Sequence, residues 1–443
     1  MFKIFKRRAR IAIKRMQRNQ NPFSFSPGKS PAQKWMLRRQ RKERMFRRCG
    51  FGAILLSCVF LGALLWSVIG NGYTAFQRTE VLLTIDFSAD VIGSDPETAD
   101  YRLLMQNALR ELFPEVTERR EKFDLYALMS KSAYYKLREM ILADPSLIGQ
   151  RRNLWLPAAS KVDMFMKRHA PDDDSALASY KLNAQQFIWI KKLVRDDRVR
   201  TVFNHIFFTG GDSQEPESAG IAGSFIGSLM SILVCIVVAF PLGVATAVYL
   251  EEFARKNWFT DLIEVNINNL AAVPSIIYGL LGLSVFINTL GMPRSSALVG
   301  GLTLALLILP VIVIASRNAL RTVPRSIRFA AMAMGATPVQ VALHHTVLYA
   351  LPGIMTGFIL SIARALGETS PLLMIGMVAF VTDIPRGITD PTTSLPVQIY
   401  LWANNPEAGF VENTAAAIIM LLAVLAAINV FAAWVRNRFE IKW

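Results

Sequence analysis

Arg328 to Leu373, RFAAMAMGATPVQVALHHTVLYALPGIMTGFILSIARALGETSPLL, decides the fold. Its first half is rich in small residues (Ala330, Ala331, Gly335, Ala336) and reads as a helical loop on one side of a membrane. Its second half reads as a span. Between Phe329 and Thr382 the only charged side chains are Arg364 and Glu368. Counted from Leu351 at ~1.5 Å per residue, Arg364 lies ~20 Å into that span. A charge at such depth is costly unless it faces a cavity or a partner. At i, i+4 the two share a helix face and can pair. That leaves two readings, a structural ion pair or an anion pathway. In the second, Arg364 meets the anion and Glu368 holds its geometry. A guanidinium suits a phosphate because its planar fork offers paired donors. Pro371 cannot donate to Gly367 and its ring clashes there, so the spacing predicts a kink at Gly367 and Pro371. A broken helix at this level is tolerated where it lines a cavity.

Working outward, 52% of the 443 residues are hydrophobic, 19% are charged and the mean hydropathy is +0.33. Six stretches of at least ~20 residues carry almost no charge, enough to cross a hydrocarbon core of ~30 Å. They lie within 49–77, 218–250, 265–293, 295–316, 347–382 and 413–435. Only helices or closed barrels satisfy the backbone in lipid, so the class is a multi-spanning α-helical membrane protein.

The head, residues 1–48, holds seventeen Lys and Arg against one acid, Glu43, which accounts for the whole net charge of +16. Phe23, Phe25 and Trp35 are interleaved. Nucleic-acid binding is the weaker reading and is not expected. A basic cytoplasmic tail lying on anionic membrane lipid fits better, because it abuts a span. Gly28-Lys29-Ser30 mimics the end of a P-loop, but Phe23 stands at the upstream Gly position. Residues 49–77 read as a retained first transmembrane helix, since no small-residue cleavage site follows the apolar run. Cys49, Cys58 and Cys235 lie in or beside spans and indicate no disulfide framework.

Residues 78–217 form the one large hydrophilic segment, expected to be an α+β domain outside the cytoplasm. Val81, Leu83, Ile85 and Phe87 alternate like a strand, and YRLLMQNALRELF and FDLYALMSKSAYYKLREMI have helical spacing. His169 and His205 stand far apart and no catalytic constellation is visible. Gly210–Gly220 (GGDSQEPESAG) reads as an exit linker.

Residues 218–443 then carry five transmembrane helices. The inner side holds Glu251–Glu264, the long segment 317–350 and the C-terminus. The outer side holds Met292–Arg294 and Thr382–Glu412. Arg317, Arg321, Arg325 and Arg328 fall on one face of a helix that Pro324 would break, and the excess of Arg on this side obeys the positive-inside rule. Adjacent His344 and His345 point ~100° apart on a helix, so a joint metal site is not expected.

Phe329-Ala330-Ala331 followed by Gly335-Ala336 resembles the coupling loop of ABC importer permeases, with Phe329 where that pattern has Glu. Ala363–Leu373 (ARALGETSPLL), Tyr249–Asn257 (YLEEFARKN) and Asn266–Leu283 (NINNLAAVPSIIYGLLGL) resemble the PstA family, the permease subunits of phosphate ABC importers. The likeness covers about half the chain, from Gly220 onward. It implies a six-helix type I ABC importer permease in the bacterial inner membrane, with both termini cytoplasmic. It implies a substrate pathway through Arg364, Glu368 and Thr369, and coupling to an ATPase through Phe329, Ala330, Ala331, Gly335 and Ala336. The implied partners are a PstC-like permease, a PstB-like ATPase dimer and a PstS-like periplasmic phosphate-binding protein. No cofactor is expected on this chain, and ATP and Mg belong to the ATPase. Rivals are a permease for another oxyanion, a channel, or a membrane-anchored sensor.

Overall fold

The structure, a computed structural model, describes residues 31–93, 95–168 and 182–439. The start of the basic head, the Gly28-Lys29-Ser30 run, His169 and the last four residues lie outside them. Residues up to Leu65 form one contact unit and those from Trp66 another. The first holds most of helix α1 (Pro31–Gly72), which is continuous through the head and the apolar run. The helix runs through the boundary between basic tail and apolar run because KERMFRRCGFG offers it neither a cap nor a proline, and Arg47 pairs with Glu43 one turn away.

The second unit begins with the outer α+β domain. Strand β1 (Gln77–Asp86) is central, flanked antiparallel by β2 (Arg151–Pro157) and β3 (Val199–Phe203). Glu80 stands opposite Pro157 on one side and Arg200 on the other. The alternation in β1 does what it predicts: Val81, Leu83, Ile85 and Phe87 are all buried. Helices α2 (Tyr101–Leu112), α3 (Arg119–Tyr126), α4 (Ser132–Ala143), α5 (Ser160–Arg168) and α6 (Ala184–Arg195) contribute Leu104, Leu109, Leu125, Leu137, Ile141, Phe165 and Trp189 to the same core. Asp100 caps α2 by accepting from the amides of Arg102 and Leu103, a cap that stabilises by about 1 kcal/mol.

The permease part follows. Helices α7 (Ala222–Val248) and α10 (Ala297–Arg321) pack along most of their lengths. Glycines set the approach: a Cβ added at Gly301 would lie 2.5 Å from the Ser231 carbonyl oxygen and the Val234 Cβ. Without a hydrophobic drive between helices in lipid, such small-residue contacts carry the association.

Four expectations need correction. The span expected at 265–293 is a bent pair: α8 (Trp258–Ala271) and Ser275–Thr289, which opens as α9 (Ser275–Gly282), meet at 102°. Pro274 fixes its own φ, lacks an amide and disfavours a helical Val273, so one helix stops and another starts. The loop expected at 251–264 is accordingly half helix, capped by Asn257 with Thr260. The bent pair still carries the chain across the bundle. Glu264 of α8 pairs with Arg317 at the inner end of α10. Beyond the other end of the pair, the Leu298 amide at the opposite end of α10 bonds Ile388 of the outer loop. Among the described residues there are thus five apolar helices long enough to span, and six crossings with the bent pair.

The span expected at 347–382 is also shorter. It begins in the turns from Pro338, continues as α12 (Val347–Gly367) and ends at Gly367; a short α13 (Ser370–Met374) follows, and Gly376 at φ +88° turns the chain away. In the outer segment 382–412, Leu395–Ala403 form helix α14, with Leu395, Val397 and Trp402 buried; α15 (Gly409–Phe439) completes the bundle.

The linker expected at 210–220 is instead packed into the molecule. Trp402 Nε1 donates to Asp212 at 3.0 Å, the Asp212 amide bonds the Val381 carbonyl, and Asn413 donates to the Pro216 carbonyl at 2.7 Å. The outer domain docks on the start of α15 through Arg168, which bonds Glu412 at 2.9 Å and the Asn71 carbonyl at 3.2 Å.

Candidate functional site

Arg364 occupies the last turn of α12, where a cation complements the carbonyl end of the helix. Glu368 is no longer helical: its φ of −80° and ψ of 121° are extended. The pair expected on one helix face therefore forms across a helix end, Arg364 Nε to Glu368 Oε1 at 3.5 Å. That length is an ion pair with little hydrogen-bond character. The Arg364 side chain is 42% exposed and Glu368 20%. A guanidinium carries five N–H donors, so most of those on Arg364 face open space.

The break has a sequence cause. Pro371 sits in the first turn of α13, where a missing amide costs nothing and the fixed φ suits a helix start. Pro371 thus begins a new helix rather than kinking the old one, and Thr369 stands between the two helices. Gly367 has nothing within 4 Å of where a Cβ would be, so it borders the same open space. The far wall is firm: α9 presses on α13, with a Cβ at Gly279 falling 2.8 Å from Pro371 Cα and Met374 Cβ. Tyr278 ties the bent pair together by donating to the Leu270 carbonyl at 2.7 Å. The arrangement offers a fork of unused cationic donors at a helix break inside an apolar bundle. Chemically it can receive an oxyanion.

On the opposite side, α10 ends at Arg321 and α11 (Arg325–Ala333) begins after Pro324. The Arg row thus belongs to two helices, again because a proline starts the second. Phe329 is 62% exposed, Ala330 is exposed, Ala331 is buried against the hairpin and Ala336 is half-buried. Gly335 turns the hairpin at φ +88° with no atom near its missing Cβ, so backbone conformation and not a tight groove selects glycine. Thr337 and Gln340 form a capping box that starts the return helix.

The acids of this side escaped sequence reasoning. Arg317 reaches Glu264 at 3.0 Å, Arg321 reaches Glu251 at 3.0 Å and Arg328 reaches Glu252 at 2.7 Å. Glu251 and Glu252 in YLEEFARKN, facing an Arg row of matching length, were the available signal. Among the described residues no group of three His, Cys, Asp or Glu side chains is placed to hold a metal ion. Outside the bundle, an open groove of about 1030 Å³ lies between Thr209, Gly211 and the strap Ala379–Arg386.

Residues 239–441 match the family described as binding-protein-dependent transport system inner membrane component. Residues 33–175 match a domain of unknown function, DUF3333. Phosphate transport system permease protein PstA 1 of Mycobacterium tuberculosis H37Rv is 38% identical over 224 residues, 50% of this chain and 71% of that protein. The chain belongs to the PstA permease family. The PstA of Yersinia pestis is 32% identical over 215 residues, 48% of this chain and 71% of the relative. A solved inward-facing MetNI methionine ABC transporter aligns with a TM-score of 0.39 and 18% identity, over 50% of this chain and 95% of that one. The PstA relatives account for about half of the chain, so the outer domain is an addition to the PstA core. The chain is an ABC transporter permease, with Arg364, Glu368 and the Gly335 hairpin inside the matched region.

Proposed function

We propose that this chain is the permease subunit of an ATP-driven importer of inorganic phosphate in the bacterial inner membrane, both termini facing the cytoplasm. The observation that carries the reading is Arg364: a guanidinium at a helix break within the bundle, held by one long contact to Glu368. Its spare donors would receive phosphate oxygens, Glu368 would hold its orientation, and Thr369 at the break would add a hydroxyl. The Gly335 hairpin, with Phe329, Ala330, Ala331 and Ala336, would dock on a PstB-like ATPase dimer. A PstC-like permease would complete the pathway and a PstS-like protein would deliver phosphate from outside. ATP and Mg2+ would act on the ATPase alone, leaving this subunit to alternate access.

Phosphate uptake and membrane abundance of four variants test this. Arg364→Lys keeps the charge but loses the fork, so uptake falls. Arg364→Gln drops uptake to background. Glu368→Gln leaves a cation without its partner and lowers abundance. The double neutral variant regains abundance without regaining uptake. Recovery of uptake in the double variant would reduce the pair to a structural one and sink the pathway role.

A further inference from the structure

The joint between the outer domain and the permease contains a carboxyl that nothing balances. Glu217 is 4% exposed, and neither of its carboxylate oxygens has a hydrogen-bond partner. It lies on the strap that enters α7, beside Pro216, whose carbonyl receives Asn413 of α15. Charged groups approach from every side. From α5 come Lys161, Asp163, Lys167 and Arg168. From α15 comes Glu412, and from the turn before it Glu407. From the strap comes Glu215, and from the loop before α4 comes Lys131.

Most of these are committed elsewhere. Lys131 pairs with Glu215 at 2.9 Å, Lys167 with Asp163 at 2.5 Å and Glu412 at 3.6 Å, and Arg168 with Glu412 at 2.9 Å. Asp163 also receives the Thr79 amide at 2.6 Å, which locks α5 to β1. Lys167 and Arg168 thus neutralise Asp163 and Glu412, Lys161 is exposed, and among the described residues Glu217 forms no ion pair. An ionised, unpaired carboxylate at this depth carries the full cost of desolvation, and a neutral carboxyl does not.

We propose that Glu217 is a proton-binding site that holds the outer domain closed on the permease when occupied and loosens that joint when empty. Closing takes one proton from water and opening returns it. Burial raises the Glu217 carboxyl from 4.5 to about 8, opposed by the nearby Ser130 hydroxyl and its own backbone amide and helped more weakly by the like charges of Glu215 and Asp163. Burial likewise raises Asp163 and Asp212, and burial followed by Glu215 raises Glu407. The sign follows from linkage: the closed joint binds more protons than the open one. Closure is favoured most at low pH, weakens as pH climbs from 4.5 towards 8, and levels off above.

Hydrogen exchange of the full-length protein in lipid nanodiscs between pH 5 and 9, corrected for intrinsic exchange, tests this. Segments 159–168 and 409–416 report the joint, and segment 81–87 in the domain core is the reference. Protection of the joint relative to the core should fall as pH rises, by up to about tenfold per pH unit, and then level off near pH 8. Glu217→Gln should hold the joint at its low-pH protection throughout. Asp163→Asn, which removes a neighbouring like charge and keeps an acceptor for Thr79, should make the fall level off at lower pH. A wild-type slope surviving in Glu217→Gln, no slope in the wild type, or an unmoved plateau in Asp163→Asn would each overturn the proposal.

Discussion

Arg328 and Arg364 are the same side chain facing a glutamate, and they differ in every way that matters. Arg328 spends its donors: Nε and Nη2 bond Glu252, Nη1 bonds the Val323 carbonyl, and Nη2 also bonds the Leu320 carbonyl. Its side chain is 19% exposed. Arg364 has one 3.5 Å ion pair with Glu368 and is 42% exposed in the last turn of α12. A saturated guanidinium is a strut, because moving it breaks several bonds at once. An unsaturated one keeps donors free to bond whatever reaches it. Donor saturation separates a structural arginine from one placed to meet a ligand, where sequence shows only two arginines near two glutamates.

The comparison can be broken by removing each side chain in turn. Arg328→Ala leaves Glu252 unpaired and frees two helix-end carbonyls, so it should destabilise by about 3 kcal/mol. A clear fall in melting temperature, with normal uptake per surviving molecule, is the expected result. Arg364→Gln should do the reverse, with the melting temperature nearly kept and uptake gone. Equal melting shifts for the two would end the distinction.

Gly335 sharpens the point from the backbone side. Gly335→Trp places a side chain at φ +88°, a strain of about 1–2 kcal/mol, and puts bulk on the hairpin tip. Uptake should be lost while insertion persists. Gly335→Asn, a residue that tolerates the left-handed region, should retain much of the uptake. Identical losses in both would show that the tip needs an absent side chain and not merely this conformation.

The smallest effect belongs to Arg321. It is 49% exposed and pairs with Glu251 at 3.0 Å. An exposed pair of this kind is screened by solvent, so Arg321→Ala should cost no more than about 1 kcal/mol by thermal melting. A cost matching that of Arg328 would mean that the three arginines act as one network and that saturation of single donors is the wrong measure.

Much of the fold was legible. The charge-free stretches marked the apolar helices, and the alternation through Val81 to Phe87 marked the central strand. Arg364 and Glu368 stood out as the only charges in 54 residues of otherwise uncharged chain. One proline was misjudged and another went unread. Pro371 was expected to kink a helix and instead begins a new one, and Pro274, inside the span expected at 265–293, does the same. A proline reads as a break in any sequence; whether the chain bends, turns back or restarts depends on what packs beside it, as α9 does against Pro371.

Composition and period by themselves determined the class and the central strand of the α+β domain. These are local properties, set by side-chain chemistry along a few turns of one element. Only the tertiary structure decided which charges are paired. Arg328 and Glu252 are 76 residues apart, and Arg168 and Glu412 are 244 apart. The state of a charge depends on what desolvates it and what answers it across space. The packed fold alone therefore distinguishes Arg328 as a strut, Arg364 as an open fork and Glu217 as a buried carboxyl with no partner.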